Sequence, residues 1–86
     1  MSIEENVIHV INSIMGTGLS NENIQDNLQQ IGMDSIKFIQ IIVALEGKFG
    51  IEVPDEKLLI NAMSTLKQII GVVSNEMQNV DGVKFL

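Results

Sequence analysis

Aliphatic residues that recur with the period of an α-helix dominate this chain and restrict it to an all-α fold. The first such segment begins with Ser2-Ile3-Glu4-Glu5, which has the form of a capping box, and Gly16 and Gly18 end it. The 86 residues include no Trp, no Tyr and only three Phe, so the aromatic residues that favour strands are scarce. We therefore expect one small helical domain with a thin aliphatic core.

Glycine, proline and capping residues set the expected helix boundaries. Asp34 or Ser35 begins the second helix, and Gly50 ends it. Pro54 begins a short third helix, because proline is favoured in a first helical turn, and Ser64 caps the fourth. The expected helices span about residues 3–14, 35–49, 54–61 and 64–77.

A long connection, at about residues 16–33, separates the first two helices and is rich in Asn, Gln and Gly. We expect Leu28 and Ile31 to anchor it in the core, since a loop of this length in a compact domain is usually ordered and functional. The sequence thus predicts a four-helix bundle with three long helices, one short helix and a long loop, forming one domain over residues 1–86. Its core covers about residues 3–77, and about residues 79–86 form a flexible tail.

The charge of the chain limits its partners. It carries 11 acidic residues against 5 basic ones, all of them lysine, for a formal net charge of −6. Binding to nucleic acid or to anionic membranes is therefore disfavoured, and a basic protein partner fits better. The sequence shows neither a signal peptide nor an apolar run of about 18 residues, so we expect no membrane insertion and a cytoplasmic protein.

The second helix has two apolar stripes when its residues are placed at about 100° intervals. The first stripe, expected in the core, comprises Phe38, Ile41, Ile42, Leu45 and Phe49. The second stripe lies about 120° or more away and comprises Ile36, Ile39 and Val43. A bundle this small cannot easily bury both stripes. The second stripe either packs under the long loop or forms a surface for a partner.

Ser35 lies in the first turn of this helix, beside the second stripe. A phosphate esterified there would be stabilised by free backbone amides and by the positive end of the helix dipole. Gly32 eases the sharp turn of the loop into the helix. Taken alone, a serine at such a position is usually a helix cap.

The residue pattern disfavours an enzyme or a metal site. Asp34 cannot act as a base on Ser35, because adjacent side chains on a helix do not face each other. His9, the sole histidine, lies on the first helix with no carboxylate placed to orient it, so we expect it at the surface. The carboxylates are scattered without calcium-loop spacing, and no metal is expected. The absence of cysteine excludes disulfides and a side-chain thiol, so any thiol chemistry needs a cofactor.

The residues around Ser35 match a known pattern. Leu28-Gln29-Gln30-Ile31-Gly32-Met33-Asp34-Ser35-Ile36 is followed by Ala44-Leu45-Glu46, Phe49-Gly50-Ile51 and Val53-Pro54-Asp55-Glu56. Over about residues 3–77 this arrangement resembles the acyl carrier and peptidyl carrier family. Its centre is the Gly-x-Asp-Ser-hydrophobic attachment motif, which is highly specific in combination with the flanking residues.

In that family the motif serine carries 4'-phosphopantetheine, which a phosphopantetheinyl transferase transfers from coenzyme A. The resemblance implies that Ser35 is the attachment point, with Asp34 and Gly32 beside it, and that the arm supplies the thiol that the chain lacks. It also implies a stand-alone monomeric carrier with no turnover of its own. Such a carrier holds acyl or aminoacyl groups as thioesters for loading enzymes and for downstream synthases or transferases.

Charge along the second helix separates this chain from fatty-acid-synthase carriers, in which that helix is strongly acidic. Here Lys37, Gln40 and Lys48 are present, and only Asp34 and Glu46 are acidic. The pattern favours nonribosomal peptide, polyketide or related specialised pathways. The alternatives are fatty acid synthesis and a cofactor-free helical interaction module in which Ser35 merely caps. The residues expected to contact partner enzymes are Met33, Ile36, Lys37, Ile39, Gln40, Val43 and Glu46.

Overall fold

Three α-helices account for most of the chain. The computed structural model describes residues 2–83, and within that range it contains no strand. The helices are α1 (Ile3–Met15), α2 (Ser35–Phe49) and α3 (Leu66–Val83). Short 3₁₀ turns lie in the two connections, at Asn21–Asn23, Leu28–Ile31, Asp55–Lys57 and Ile60–Ala62. The all-α fold class is confirmed.

Local sequence sets both ends of α1. The Ser2 hydroxyl accepts the Glu5 N–H at 3.1 Å and the Glu5 carboxylate accepts the Ser2 N–H at 3.5 Å, which forms the predicted capping box. Gly16 ends the helix in the left-handed region, with a φ of 69°. The Asn12 side chain then accepts the Leu19 N–H at 2.8 Å, so the last turn of α1 also fixes the start of the first connection.

One face of each helix forms the core, and α1 packs against both α2 and α3. The first stripe of α2 is buried as predicted, apart from a half-buried Phe49. Burial of these aliphatic side chains supplies the main stabilisation of the fold. The buried residues of the three helices are Val7, Ile8 and Ile11 of α1, Phe38, Ile41, Ile42 and Leu45 of α2, and Leu66, Ile69 and Val73 of α3.

The first connection is tied to the start of α3. The Leu28 N–H donates to the Ser64 carbonyl at 2.7 Å, and the Lys67 N–H donates to the Ile24 carbonyl at 3.0 Å. Leu28 is completely buried, which confirms its predicted role as an anchor. The same prediction for Ile31 is wrong, because 43% of that residue is exposed.

The second connection differs from the short helix predicted for residues 54–61. It consists of two separate 3₁₀ turns instead. Leu58 and Ile60 both pack against the core, whereas Leu59 between them is 59% exposed. Residues two apart do not share a face of an α-helix, so a helix could not bury this pair together. Packing against the core therefore prevents the helix that was predicted to begin at Pro54.

The ends of α3 also differ from the prediction. Thr65, not Ser64, caps the helix: its hydroxyl accepts the Gln68 N–H at 3.1 Å, and the side-chain Oε1 of Gln68 accepts the Thr65 N–H at 3.2 Å. Ser64 is buried, and its carbonyl accepts the Leu28 N–H of the first connection. At the other end α3 continues to Val83, into the segment predicted as a tail from residue 79. Residues 84–86 of that predicted tail lie outside the described residues.

Candidate functional site

The start of α2 presents Ser35 to solvent. Asp34 is the N-cap, and its Oδ1 accepts the Lys37 N–H at 2.8 Å. The Asp34 carbonyl accepts the Phe38 N–H at 2.8 Å, which makes Ser35 the first residue of the helix. Ser35 itself is exposed. Asp34 and Ser35 thus take distinct positions: one fixes the helix start, and the other leaves its side chain accessible.

Gly32 turns the chain into this helix. It ends the 3₁₀ turn of Leu28–Ile31 with a φ of 115°, a conformation that side chains disfavour. Its N–H donates to the Gln29 carbonyl, and the next N–H, that of Met33, donates to the Leu28 carbonyl at 3.0 Å. The turn is therefore anchored on the buried Leu28 immediately before the exposed Ser35.

Backbone amides at this helix start suit a phosphate ester. A helical N–H donates to the carbonyl four residues earlier in the chain. For Ser35 and Ile36 that carbonyl lies before the start of α2, so their N–H groups have no intrahelical partner. The positive end of the α2 dipole adds to the attraction for an anion. An accessible hydroxyl, two such amides and a turn that needs glycine together fit a phosphate-linked group on Ser35.

The second stripe faces solvent. Ile36, Ile39 and Val43 are 71%, 49% and 58% exposed, whereas the first stripe of the same helix is buried. The interpretation in which the second stripe packs under the long loop is therefore wrong. An apolar surface therefore lies beside Ser35. Its three residues share one face of α2, so a single partner surface can contact all of them.

Two residues predicted to contact partners also have contacts within the fold, and one of them, Met33, is inaccessible to a partner. Met33 is only 3% exposed and belongs to the core, so it cannot lie on a docking surface. Glu46 is half-buried, and its Oε2 accepts the Val53 N–H at 2.9 Å, which fastens the second connection to the end of α2. The other predicted contact residues stay accessible: Gln40 is exposed and Lys37 is partly exposed.

Sequence analysis missed two features of the surface. Ile31 and Leu59 are large exposed hydrophobic residues, although Ile31 is predicted as a core anchor and Leu59 as part of a short helix. The run Leu58-Leu59-Ile60 holds a signal for Leu59, since in an extended segment adjacent side chains point to opposite faces and residues two apart share a face. The ion pair of Lys57 with Glu76, whose Nζ and Oε2 lie 2.8 Å apart, was not predicted either.

Other chemistry is limited in the described part of the chain. His9 is exposed on α1, as expected. Among the side chains that the structure describes, no three of His, Cys, Asp or Glu come together in a group that could hold a metal ion. None of the helices within residues 2–83 is both long enough and apolar enough to cross a lipid bilayer.

Comparisons with known proteins agree with this site. Residues 7–73 match the family described as "Phosphopantetheine attachment site". The D-alanyl carrier protein of Enterococcus faecalis is 37% identical over 76 residues, covering 85% of this chain and 95% of that protein. The D-alanyl carrier protein of Leuconostoc citreum is 25% identical over 75 residues, covering 87% of this chain and 96% of that protein.

A solved structure shares the fold. The solution structure of the acetyl actinorhodin acyl carrier protein from Streptomyces coelicolor superposes with a TM-score of 0.74. The match covers 90% of this chain and 92% of that one, at 17% sequence identity. The three helices therefore have the arrangement of an acyl carrier protein.

Proposed function

Because the chain belongs to the family of carrier proteins with a phosphopantetheine attachment site, we propose that its 4'-phosphopantetheine is attached to Ser35. The protein then acts as a carrier of an aminoacyl group, and partner enzymes perform the chemistry. When attached, the cofactor supplies a thiol that holds the cargo as a thioester. The chain has no cysteine of its own for this purpose.

The position of Ser35 is the observation that carries the proposal. Three other serines lie within the matched residues 7–73, and each is less suited. Ser64 is buried, and the Ser20 hydroxyl already accepts the Glu22 N–H at 3.3 Å. Ser13 is exposed but lies inside α1, where backbone amides bond to helix carbonyls. Ser35 alone among these four begins an α-helix.

The residues around Ser35 have separate roles in the proposed site. The Ser35 Oγ forms the ester to the phosphate, and the N–H groups of Ser35 and Ile36 face the anion. Asp34 fixes the helix start by accepting the Lys37 N–H, and Gly32 provides the turn that exposes Ser35. The second stripe, with Lys37 and Gln40 beside it, offers the surface on which partner enzymes dock.

The cargo proposed first is D-alanine. Two relatives that this chain matches over most of their length are D-alanyl carrier proteins, and one of them is 37% identical. The charge of α2 agrees with a carrier outside fatty acid synthesis, since α2 carries Lys37 and Lys48 and is not strongly acidic like the second helix of fatty-acid-synthase carriers. A nonribosomal peptide or polyketide pathway is the second candidate for the same carrier role.

The proposed partners follow from this role. A phosphopantetheinyl transferase attaches the arm from coenzyme A, an amino-acid ligase loads the cargo, and a downstream transferase or synthase removes it. We propose that the carrier is monomeric, because each of these enzymes needs the second stripe free. A cytoplasmic location follows, since coenzyme A is the donor of the arm.

A different class of function, a cofactor-free interaction module, is favoured by one observation, the exposed second stripe. Intact mass distinguishes the two. Incubation with coenzyme A and a broad-specificity transferase should add one phosphopantetheine to the parent and to Ser13→Ala, but none to Ser35→Ala. An unmodified parent would favour the interaction module, and a modified Ser35→Ala would move the attachment site elsewhere. Incubated with D-alanine, ATP and the ligase that loads the Enterococcus faecalis D-alanyl carrier protein, the holo protein should then gain D-alanine.

A further inference from the structure

The exposed face of α2 has a charge pattern unlike that of the whole chain. The chain has a formal net charge of −6, yet two lysines, Lys37 and Lys48, lie on one border of this face. They are about three helical turns apart and within about 20° of each other around the helix axis. The exposed Gln40 separates this border from the second stripe and adds no charge. A partner that covers the second stripe on this side therefore meets cations.

The carboxylates near this face are engaged by backbone amides. Glu46, on the opposite border, accepts the Val53 N–H at 2.9 Å, and Asp34 accepts the Lys37 N–H at 2.8 Å. Among the side chains that the structure describes, which leave out Met1, Asp55 and residues 79–86, the ion pair formed is that of Lys57 with Glu76, and Lys37 and Lys48 take no part in one. Their ammonium groups are thus available to a partner.

We infer that the enzyme that loads the cargo presents an apolar surface to the second stripe, flanked by carboxylates that face Lys37 and Lys48. The inference rests on the proposed carrier function. The net charge alone suggests a basic partner, whereas this face of α2 favours an acidic one. Local charges decide, because exposed charges act mainly within a Debye length of about 8–10 Å. Six of the eleven acidic residues belong to elements other than α2: Glu4 and Glu5 in α1, Glu22 and Asp26 in the first connection, and Glu52 and Glu56 in the second.

Charge reversal tests the inference. Lys37→Glu and Lys48→Glu are compared with Lys67→Glu, an exposed lysine in the first turn of α3 whose substitution changes the net charge equally. All three variants are converted to the holo form and checked by intact mass and thermal melts. The kcat/KM for loading of D-alanine by the Enterococcus faecalis ligase is then measured at several salt concentrations.

We expect kcat/KM at low salt to fall about threefold to tenfold for Lys37→Glu and Lys48→Glu, and to change less than about twofold for Lys67→Glu. The difference should vanish at about 0.5 M salt, where the charges are screened. Equal rates for all three variants, or faster loading of Lys37→Glu, would overturn the inference and leave the carrier function intact. A holo parent that the ligase does not load would overturn both the D-alanine assignment and the inference. A parent that gains no phosphopantetheine on Ser35 would overturn the proposed function itself.

Discussion

Gly32 determines how the chain enters α2. Its φ of 115° and ψ of 2° place it in a region that residues with a Cβ atom rarely adopt. Space is not the constraint, since a Cβ built at Gly32 would meet no atom within 4 Å. Met33 follows directly, with its N–H on the Leu28 carbonyl and its side chain in the core. The conformation of one residue thus links a buried anchor to the exposed Ser35.

Replacing Gly32 with Ala should lower the free energy of unfolding by about 1–3 kcal/mol, because the new side chain strains the left-handed conformation. Gly47→Ala is the matched control. Gly47 is exposed within α2 without a positive φ, and alanine there should raise the free energy of unfolding by about 0.5–1 kcal/mol. Denaturant titrations of both variants measure the difference. A Gly32→Ala protein as stable as the parent would show that φ does not set this turn.

Individual residues of the site were predictable from sequence to different extents. Asp34 and Ser35 could be placed because capping chemistry is local, involving a side chain and an amide within one turn. Ile31 and Met33 could not, since both are apolar neighbours of a glycine and only the path of the folded chain decides which is buried. Glu46 was also beyond local sequence, because its partner amide, that of Val53, lies seven residues away across the end of the helix.

Among the elements, the second connection is joined to α3 by an ion pair. Lys57 in its first 3₁₀ turn pairs with Glu76 of α3 at 2.8 Å, and the Glu76 side chain is 7% exposed while that of Lys57 is 36% exposed. The two short turns have little stability of their own. The ion pair with α3 and the packing of Leu58 and Ile60 on the core therefore hold this connection in place.

Removing one partner of this pair should cost more than removing both. Lys57→Met leaves the buried Glu76 carboxylate unpaired, and we expect the free energy of unfolding to fall by about 1–3 kcal/mol. The double variant Lys57→Met with Glu76→Leu should recover to within about 1 kcal/mol of the parent. Lys67→Met, at an exposed lysine, controls for the loss of a charge. Thermal melts compare the four proteins, and a double variant weaker than Lys57→Met would contradict this role for the pair.

The helices with local stop and start signals were the elements that sequence predicted well. α1 and α2 end at Gly16 and Gly50, both of which adopt a positive φ and close the helix with their own N–H groups. The second connection lacked such determinants. Whether Pro54 begins a helix there depends on the burial of Leu58 and Ile60, which the folded core imposes and a local pattern cannot show.

At the scale of the whole molecule, α2 has more apolar surface than the bundle can cover. α1 packs against α2 and α3, and this arrangement buries the first stripe of α2 and leaves the second stripe outside. An exposed apolar stripe adds nothing to folding and raises the risk of aggregation. Its retention beside Ser35 is consistent with a surface that serves binding.

Two isoleucines of α2 separate binding from stability. Ile41, fully buried, should lose about 2–5 kcal/mol of unfolding free energy when changed to Ala, since truncation leaves a cavity in the core. Ile39, at 49% exposure, should lose less than about 1 kcal/mol, because solvent already reaches much of its side chain.

Loading of the holo protein should respond to the two substitutions in the opposite order. Ile39→Ala removes an apolar contact with the enzyme and should lower kcat/KM about tenfold, whereas Ile41→Ala, measured below its melting temperature, should keep most of the parental rate. Thermal melts and loading kinetics on the same samples provide both readouts. A large drop in melting temperature for Ile39→Ala would mean that the second stripe supports the core, and unchanged loading would mean that partner enzymes bind elsewhere.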